Sequence, residues 1–248
     1  MTLAGKVAVI SGGGRDIGRA VALRLAAEGA AVAINYRSSA AGADSAVAEI
    51  TAGGGRAFAM AGDMTNEGDV AALVARAVAE FDGIDIVVPV TGGIVARVPV
   101  AQMTADHWRQ VMDLNATSAF LLIRAAVPHL RDGGAIVTLA SQAARDGGGG
   151  GAVAYAAAKG AVLTMTRGMA KEFAPRIRVN AVCPGMIDTD FHNLFTKPEV
   201  RTFVAGATPL KREGRPEEVA DLVCYLASPQ ASFITGTCTD INGGTLFS

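Results

Sequence analysis

Short apolar, β-branched runs alternate along the chain with longer segments in which apolar positions recur every three or four residues. Val7–Ser11, Ala31–Tyr36 and residues 57–60, 84–88, 135–139, 179–182 and 237–241 have the length of strands, and most lack polar alternation. Strands of continuous apolar character are covered on both faces, as in a parallel sheet. Between them, residues 18–29, 41–52, Glu67–Phe81, 107–130, Val153–Phe173 and 216–226 carry helical spacing, with 107–130 expected to break near its start. Gly29 and the glycines at 53–55 supply stops. This alternation predicts an α/β fold: one doubly wound parallel sheet of about seven strands, flanked by helices through right-handed crossovers. No Pro/Ser-rich linker and no internal repeat divides the chain, so residues 1–248 read as one domain. Residues 188–209 break the rhythm. Phe191, His192, Phe195 and Phe203 among polar neighbours suggest a substrate lid there, with a surface helical hairpin as the alternative.

Composition narrows the function classes. Half of the 248 residues are hydrophobic and 18% are charged, which excludes intrinsic disorder. The 22 basic and 23 acidic residues nearly cancel, and no dense Lys/Arg run offers a nucleic-acid footprint. No unbroken apolar stretch approaches the roughly 20 residues of a membrane span, and the N-terminal residues lack the pattern of a secretory signal. Cys183, Cys224 and Cys238 are odd in number and far apart in the sequence. They therefore read as small buried apolar residues, with no metal site and no disulfide framework, in a reducing cytoplasm.

The chemistry begins where the first strand ends, in Ser11-Gly12-Gly13-Gly14-Arg15-Asp16-Ile17-Gly18. Glycines at a strand-to-helix turn let the backbone approach a pyrophosphate, which the free N–H groups of the next helix then bind. The motif resembles the Thr-Gly-x-x-x-Gly-x-Gly fingerprint of the short-chain dehydrogenases/reductases, a family with a Rossmann-type NAD(P)-binding fold. Ser11 keeps the hydroxyl of the family's Thr. Asp16 replaces the middle glycine and brings a Cβ and a charge. Because Asp tolerates left-handed backbone and caps helices, the turn is expected to survive with Asp16 directed away from the phosphates. The second strand ends in Asn35-Tyr36-Arg37-Ser38-Ser39, with no acid at the place where NAD-specific sites bind the ribose 2′-OH. Arg15, Arg37 and Ser38 suit a 2′-phosphate instead, so NADP(H) is expected over NAD(H). Asp63-Met64 is similar to the family's adenine-contacting Asp-Val, and Gly92 is what remains of its Asn-Asn-Ala-Gly segment.

Tyr155 and Lys159 stand four residues apart on a predicted helix, hence on one face. A neighbouring ammonium is expected to lower the phenol from its ordinary value near 10. Ser141 follows the fifth strand, at the carboxyl edge where open α/β sheets bind ligands. With Asn115, these residues match the order and spacing of the family's catalytic tetrad. The resemblance extends over about residues 5–244 and includes Pro184-Gly185-Met186-Ile187-Asp188-Thr189. It implies that Tyr155 protonates a substrate carbonyl, Ser141 stabilises the oxygen, Lys159 holds the nicotinamide ribose and tunes Tyr155, and Asn115 supports a proton-relaying water. It also implies that Pro184, Gly185, Ile187 and Thr189 contact the cofactor, with Thr189 at its pyrophosphate or carboxamide. The cofactor supplies the hydride.

Substrate choice is expected from the glycine run at 147–151, from Gly93 and its neighbours through Arg97, and from the lid. Gly149, Arg145, Arg97 and His192 are candidates to meet a carboxylate or hydroxylated substrate. The reading is an NADP(H)-dependent interconversion of a ketone or keto acid with a secondary alcohol. The pattern looks like the 3-oxoacyl-carrier-protein reductase branch, and the loop and lid also resemble keto-sugar-acid reductases. A non-catalytic NADP-binding regulator and a structural subunit are the readings from other classes. The family implies a homotetramer, which the apolar run Ala161, Val162, Met165 and Met169 would allow.

Overall fold

A computed structural model describes residues 2–247. Seven parallel strands form one sheet in the order β3-β2-β1-β4-β5-β6-β7. In chain order they are β1 (Val7–Ser11), β2 (Ala31–Tyr36), β3 (Ala57–Ala61), β4 (Ile84–Pro89), β5 (Leu130–Leu139), β6 (Ile177–Pro184) and β7 (Cys238–Ile241). The chain runs outward from β1 to β3 and then returns to β4 on the other side of β1. That reversal opens a crevice beyond the carboxyl ends of β1 and β4, where ligands bind in such sheets.

The helices cover both faces of the sheet. They are α1 (Asp16–Ala27), α2 (Ala40–Ala52), α3 (Glu67–Phe81), α4 (Ala105–Met112), α5 (Ser118–Ala126), α6 (Ala143–Asp146), α7 (Val153–Phe173), α8 (Asp190–Phe195), α9 (Pro198–Ala207) and α10 (Pro216–Ala227). Every residue of β1 and β4 is buried, because helices cover both faces of these central strands. One core packs Val21, Leu25 and Val223 of α1 and α10 onto Ile10 and Val88. The other packs Leu73, Leu122 and Ile123 onto Val9, Val87 and Ile136. Each fully buried Leu, Ile or Val contributes about 1.5–3 kcal/mol relative to exposure, so the sheet is rigid and its carboxyl edge is a fixed platform.

The expected long helix over 107–130 is divided. α4 ends at Met112, a π-turn spans Asp113–Thr117, and α5 follows. Strand β5 already begins at Leu130, five residues earlier than expected, because Gly133 takes φ +80° and Arg176 secures that corner. By length and composition the run Ala105–His129 would suit a membrane span, but Leu121, Leu122, Ile123 and Ala126 are buried in the second core. The segment at 188–209 forms the helical pair α8 and α9, which borders the crevice. Val162 of the suggested oligomer face is buried within the chain itself. At the amino edge of the sheet, Asp85 is buried between Lys6 (2.9 Å) and Arg131 (3.0 Å) and accepts the Val7 N–H (3.0 Å). The charges there are structural, remote from the crevice.

Candidate active site

The crevice is a cleft of about 1110 Å³ that runs from Arg37 and Asp63 at one end to the lid at the other. Its floor is built by missing side chains. Gly12 adopts φ +65°, and a Cβ there would stand 3.0 Å from the Thr91 nitrogen. A Cβ on Gly18 would lie 2.1 Å from the Gly12 carbonyl oxygen. Helix α1 starts at this turn, and no side chain caps it, so its first N–H groups are available to an anion. The turn is secured from below by Asn35, whose side chain accepts the Gly12 N–H (3.3 Å) and donates to the Gly62 carbonyl (2.9 Å). The sequence reading gave Asn35 no role. A buried amide at the end of an apolar strand was the available signal.

Two expected contacts are corrected here. Ser11 is buried, and its hydroxyl accepts the Thr91 N–H (3.1 Å), so it ties the glycine turn to the loop after β4 and does not face the cleft. Gly14 also lies off the cleft, where a Cβ would overlap the Ser39 hydroxyl at 2.2 Å. Its lack of a side chain serves the packing of the β2–α2 turn. Arg15, Asp16, Ile17, Arg37, Ser38, Asp63 and Met64 all line the cleft as expected. Arg37 pairs with Asp63 at 3.4 Å. Asp63 is held below its ordinary value by the Thr65 backbone N–H, the Thr65 hydroxyl and Arg37.

Asp16 takes φ +49°, so the turn survives in the left-handed conformation. Its carboxylate does not cap α1. It accepts the backbone N–H of Asp190 at 3.1 Å and lies 3.8 Å from Arg15. Burial and the nearby carboxylates of Asp190 and Asp188 push its pKa up, against the lowering effect of the Asp190 hydrogen bond and Arg15. The residues present therefore fit a dinucleotide: a glycine floor, an uncapped helix start, and cations at the adenosine end, with Asp16 engaged elsewhere.

At the middle of the cleft the structure gathers Asn115, Ser141, Tyr155 and Lys159. Tyr155 and Lys159 sit near the start of α7 on one face, with the Lys159 ammonium 5.8 Å from the phenol ring centre. Lys159 is buried and donates to the Leu139 carbonyl at 2.7 Å. Burial lowers its pKa to about 8. Ser141, past the end of β5, borders the cleft beside Tyr155 and accepts the Ala143 N–H at 3.2 Å. The expected lowering of the phenol by Lys159 is not realised without a ligand: burial raises the Tyr155 pKa, and only the Ser141 hydroxyl opposes it. Asn115 sits in the π-turn, a local widening that recurs at functional sites. It accepts the Gly93 N–H (2.9 Å) and donates to the Gly93 carbonyl (2.8 Å). A Cβ on Gly92 would come within 2.7 Å of Asn115 Oδ1 and 3.2 Å of Lys159 Nζ. Asn115 thus fixes the 92–93 backbone against the lysine.

Pro184, Gly185, Ile187 and Thr189 border the same space, with the Thr189 hydroxyl donating to the Ile187 carbonyl at 3.1 Å. Gly93, Gly149 and His192 line the substrate side, but Arg145 does not. It faces the opposite way, donating to the Cys238 carbonyl (2.8 Å) and pairing with Asp240 (3.0 Å). Burial drives the His192 pKa down to about 4, so the imidazole is neutral at pH 7 and supplies no positive charge to a substrate. Phe191 lies tilted against Tyr155 with ring centres 5.8 Å apart, and Phe195 adjoins Phe191 at 5.4 Å. Ile94, Met186, Val200 and Val204 complete an apolar wall.

Comparison with known proteins agrees with this geometry. The family model described as enoyl-(acyl carrier protein) reductase matches residues 12–245. A 3-oxoacyl-[acyl-carrier-protein] reductase of Synechocystis sp. is 38% identical, over 98% of this chain and 97% of its own. A short-chain dehydrogenase/reductase of Serratia marcescens superposes with a TM-score of 0.93 at 36% identity, covering 99% of both chains. A short chain dehydrogenase of Burkholderia cenocepacia, solved in complex with NADP, gives a TM-score of 0.92 at 35% identity, again over 99% of both. The chain belongs to the short-chain dehydrogenase/reductase family of oxidoreductases.

Proposed function

We propose that the protein reduces a ketone or keto acid to a secondary alcohol with NADPH, and runs the reverse oxidation with NADP. The observation that carries this reading is the cluster at the centre of the cleft: a Tyr155 phenol beside Ser141, with the buried Lys159 ammonium on the same helix face. The dinucleotide would lie over Gly12 and Gly18, with its pyrophosphate at the start of α1. Arg37, Ser38 and Arg15 would meet a 2′-phosphate, and the nicotinamide end would reach Thr189 and Ile187. Bound there, it supplies the hydride. A carbonyl oxygen between Ser141 and Tyr155 receives a hydrogen bond from the serine as negative charge develops, and the phenol delivers the proton. Tyr155 protonated at pH 7 is the correct state for that donation, which the apolar surroundings of the ring favour. Lys159 replenishes the proton and positions the ribose, and Asn115 holds the Gly92–Gly93 backbone in place beside the lysine.

The wall formed by Phe191, Phe195, Ile94 and Val204 favours an apolar ketone, including a 3-oxoacyl chain, over a hydroxylated keto-sugar acid. With Arg145 turned away and His192 neutral, Arg97 is the one of these three candidates left to meet a carboxylate on the substrate side. Oxidation of NADPH by the purified protein, followed at the nicotinamide absorbance against apolar ketones, 3-oxoacyl thioesters and keto-sugar acids, tests the reading. Turnover is expected first with the apolar and acyl carbonyls. Tight NADPH binding with no turnover on any of them would turn the assignment towards a regulator.

A further inference from the structure

Helix α8 has six residues, too short to satisfy its own backbone, and both of its ends are held by charged side chains from elsewhere. At its amino end, Asp16 Oδ1 accepts the Asp190 N–H at 3.1 Å. At its carboxyl end, Arg97 Nε donates to the Phe195 carbonyl at 2.9 Å, and Arg97 Nη1 donates to the Gly150 carbonyl at 3.1 Å. Each charge has the sign that the helix end favours, an anion at the N–H end and a cation at the C=O end. The two anchors come from opposite walls of the cleft. Asp16 belongs to the dinucleotide turn, whereas Arg97 belongs to the loop after β4 and also holds the glycine run at 147–151. Among the described residues, Arg97 makes no ion pair with a carboxylate, and its guanidinium donates to these two carbonyls. Asp16, for its part, occupies a left-handed backbone where glycine would be unstrained. Strain of that kind persists where the side chain has a purpose. What α8 carries between its anchors is Phe191, tilted against Tyr155 at 5.8 Å and set edge-on to His192 at 5.0 Å.

We propose that Asp16 and Arg97 are positioning residues that clamp α8 at its two ends, one from the cofactor turn and one from the substrate wall, and so seat Phe191 against the Tyr155 ring. The proposal deepens the reductase reading and rests on it for the effect on substrate. The clamp makes the lid answer to both halves of the cleft, because moving either the glycine turn or the 147–151 loop moves an anchor of the helix that covers the phenol.

Hydrogen exchange of the amides at 190–196, measured on the full chain, is the direct test, with kinetics on the same samples. Arg97→Ala is expected to speed exchange across the carboxyl half of α8. It should raise KM for the carbonyl substrate about tenfold, the loss of one charged hydrogen bond, while the Kd for NADPH stays within about twofold. Asp16→Gly removes the amino-end anchor and is expected to speed exchange at Asp190–His192, even though glycine relaxes the turn. Asp16→Asn keeps an acceptor and the left-handed tolerance and is expected to restore slow exchange. A merely structural Asp16 predicts the reverse: Asp16→Gly raises Tm and leaves α8 unchanged. Unchanged exchange in both Arg97→Ala and Asp16→Gly, or exchange in Asp16→Asn as fast as in Asp16→Gly, would overturn the clamp. These exchange readouts stand whether or not the wild type oxidises NADPH, so failure of the clamp and failure of the reductase reading are separate results.

Discussion

The two halves of the cleft are built by different means. The cofactor half is made of backbone. Gly12 and Gly18 leave no space for a Cβ, the uncapped start of α1 presents its N–H groups, and Asn35 pins the turn from beneath. The substrate half is made of side chains on a short helical pair and a glycine run, joined by Arg97. Backbone constraint tolerates few residue types, so the first half is rigid and uniform. Side-chain walls accept many residue types at each position, so the second half is free to set the shape and polarity of the substrate space.

The sharpest way to break this contrast is to put a methyl group into the backbone half. Gly18→Ala would place a Cβ 2.1 Å from the Gly12 oxygen and displace the turn. NADPH binding is expected to weaken by about 10²-fold, the scale of a 1 Å misplacement, as read by fluorescence titration with circular dichroism to establish folding. Binding within threefold of the wild type would mean that the turn is not the anchor.

A second prediction concerns pH. Burial lowers Lys159 to about 8, so its ammonium is lost at a lower pH than that of an ordinary lysine. The parameter kcat/KM for NADPH reports the free enzyme. It is expected to decline as pH rises through about 8, because the neutral amine loses the charge that strengthens its hydrogen bonds to the ribose and to the Leu139 carbonyl. The linkage has the matching sign. A lysine that is less basic in the folded protein costs stability while charged, and that cost is relieved between pH 8 and the ordinary lysine value near 10.4. A profile flat to pH 10 contradicts the burial of this group.

Arg37→Ala is expected to lower the preference for NADPH over NADH by about tenfold, the effect of one charge-assisted bond to phosphate at an exposed site. Equal effects on both nucleotides would remove Arg37 from the 2′-phosphate. The smallest change is expected at His192. The imidazole is neutral and bonds Thr196 at 2.9 Å, so His192→Gln should alter KM for an anionic substrate by no more than about threefold, a fraction of one hydrogen bond. A large loss confined to carboxylate substrates would show that the histidine carries charge after all.

The contrast also explains what could be read from the chain. The seven strands and the spans Val153–Phe173 and Glu67–Phe81 were legible because buried parallel strands and amphipathic helices write their period directly into the sequence. The gathering of Ser141, Tyr155 and Lys159 was legible because the pair shares a helix turn and the serine follows a strand. Contacts between segments distant in sequence were not. Nothing local distinguishes Arg145, which pairs with Asp240 on the far side, from Arg97, which faces the cleft. Ser11 looked like a cofactor ligand because a hydroxyl beside a glycine turn serves equally to bond phosphate or, as here, a neighbouring backbone amide. The break near the start of the 107–130 helix was expected, but its form, a π-turn that packs Asn115 against Gly93, is a tertiary contact that leaves no periodic trace. The raised phenol of Tyr155 reflects burial by Phe191 and its neighbours, whereas sequence spacing showed only the lysine.

The central claim is that Tyr155 delivers the proton to a carbonyl held beside bound NADPH. Single-turnover oxidation of NADPH by a ketone, compared between wild type and Tyr155→Phe with NADPH affinity measured on the same samples, tests it most directly. A loss of about 10³-fold in rate, the scale of general acid catalysis, with NADPH affinity within about twofold of wild type, is the predicted result. A phenylalanine variant that turns over within about tenfold of the wild type would contradict the account.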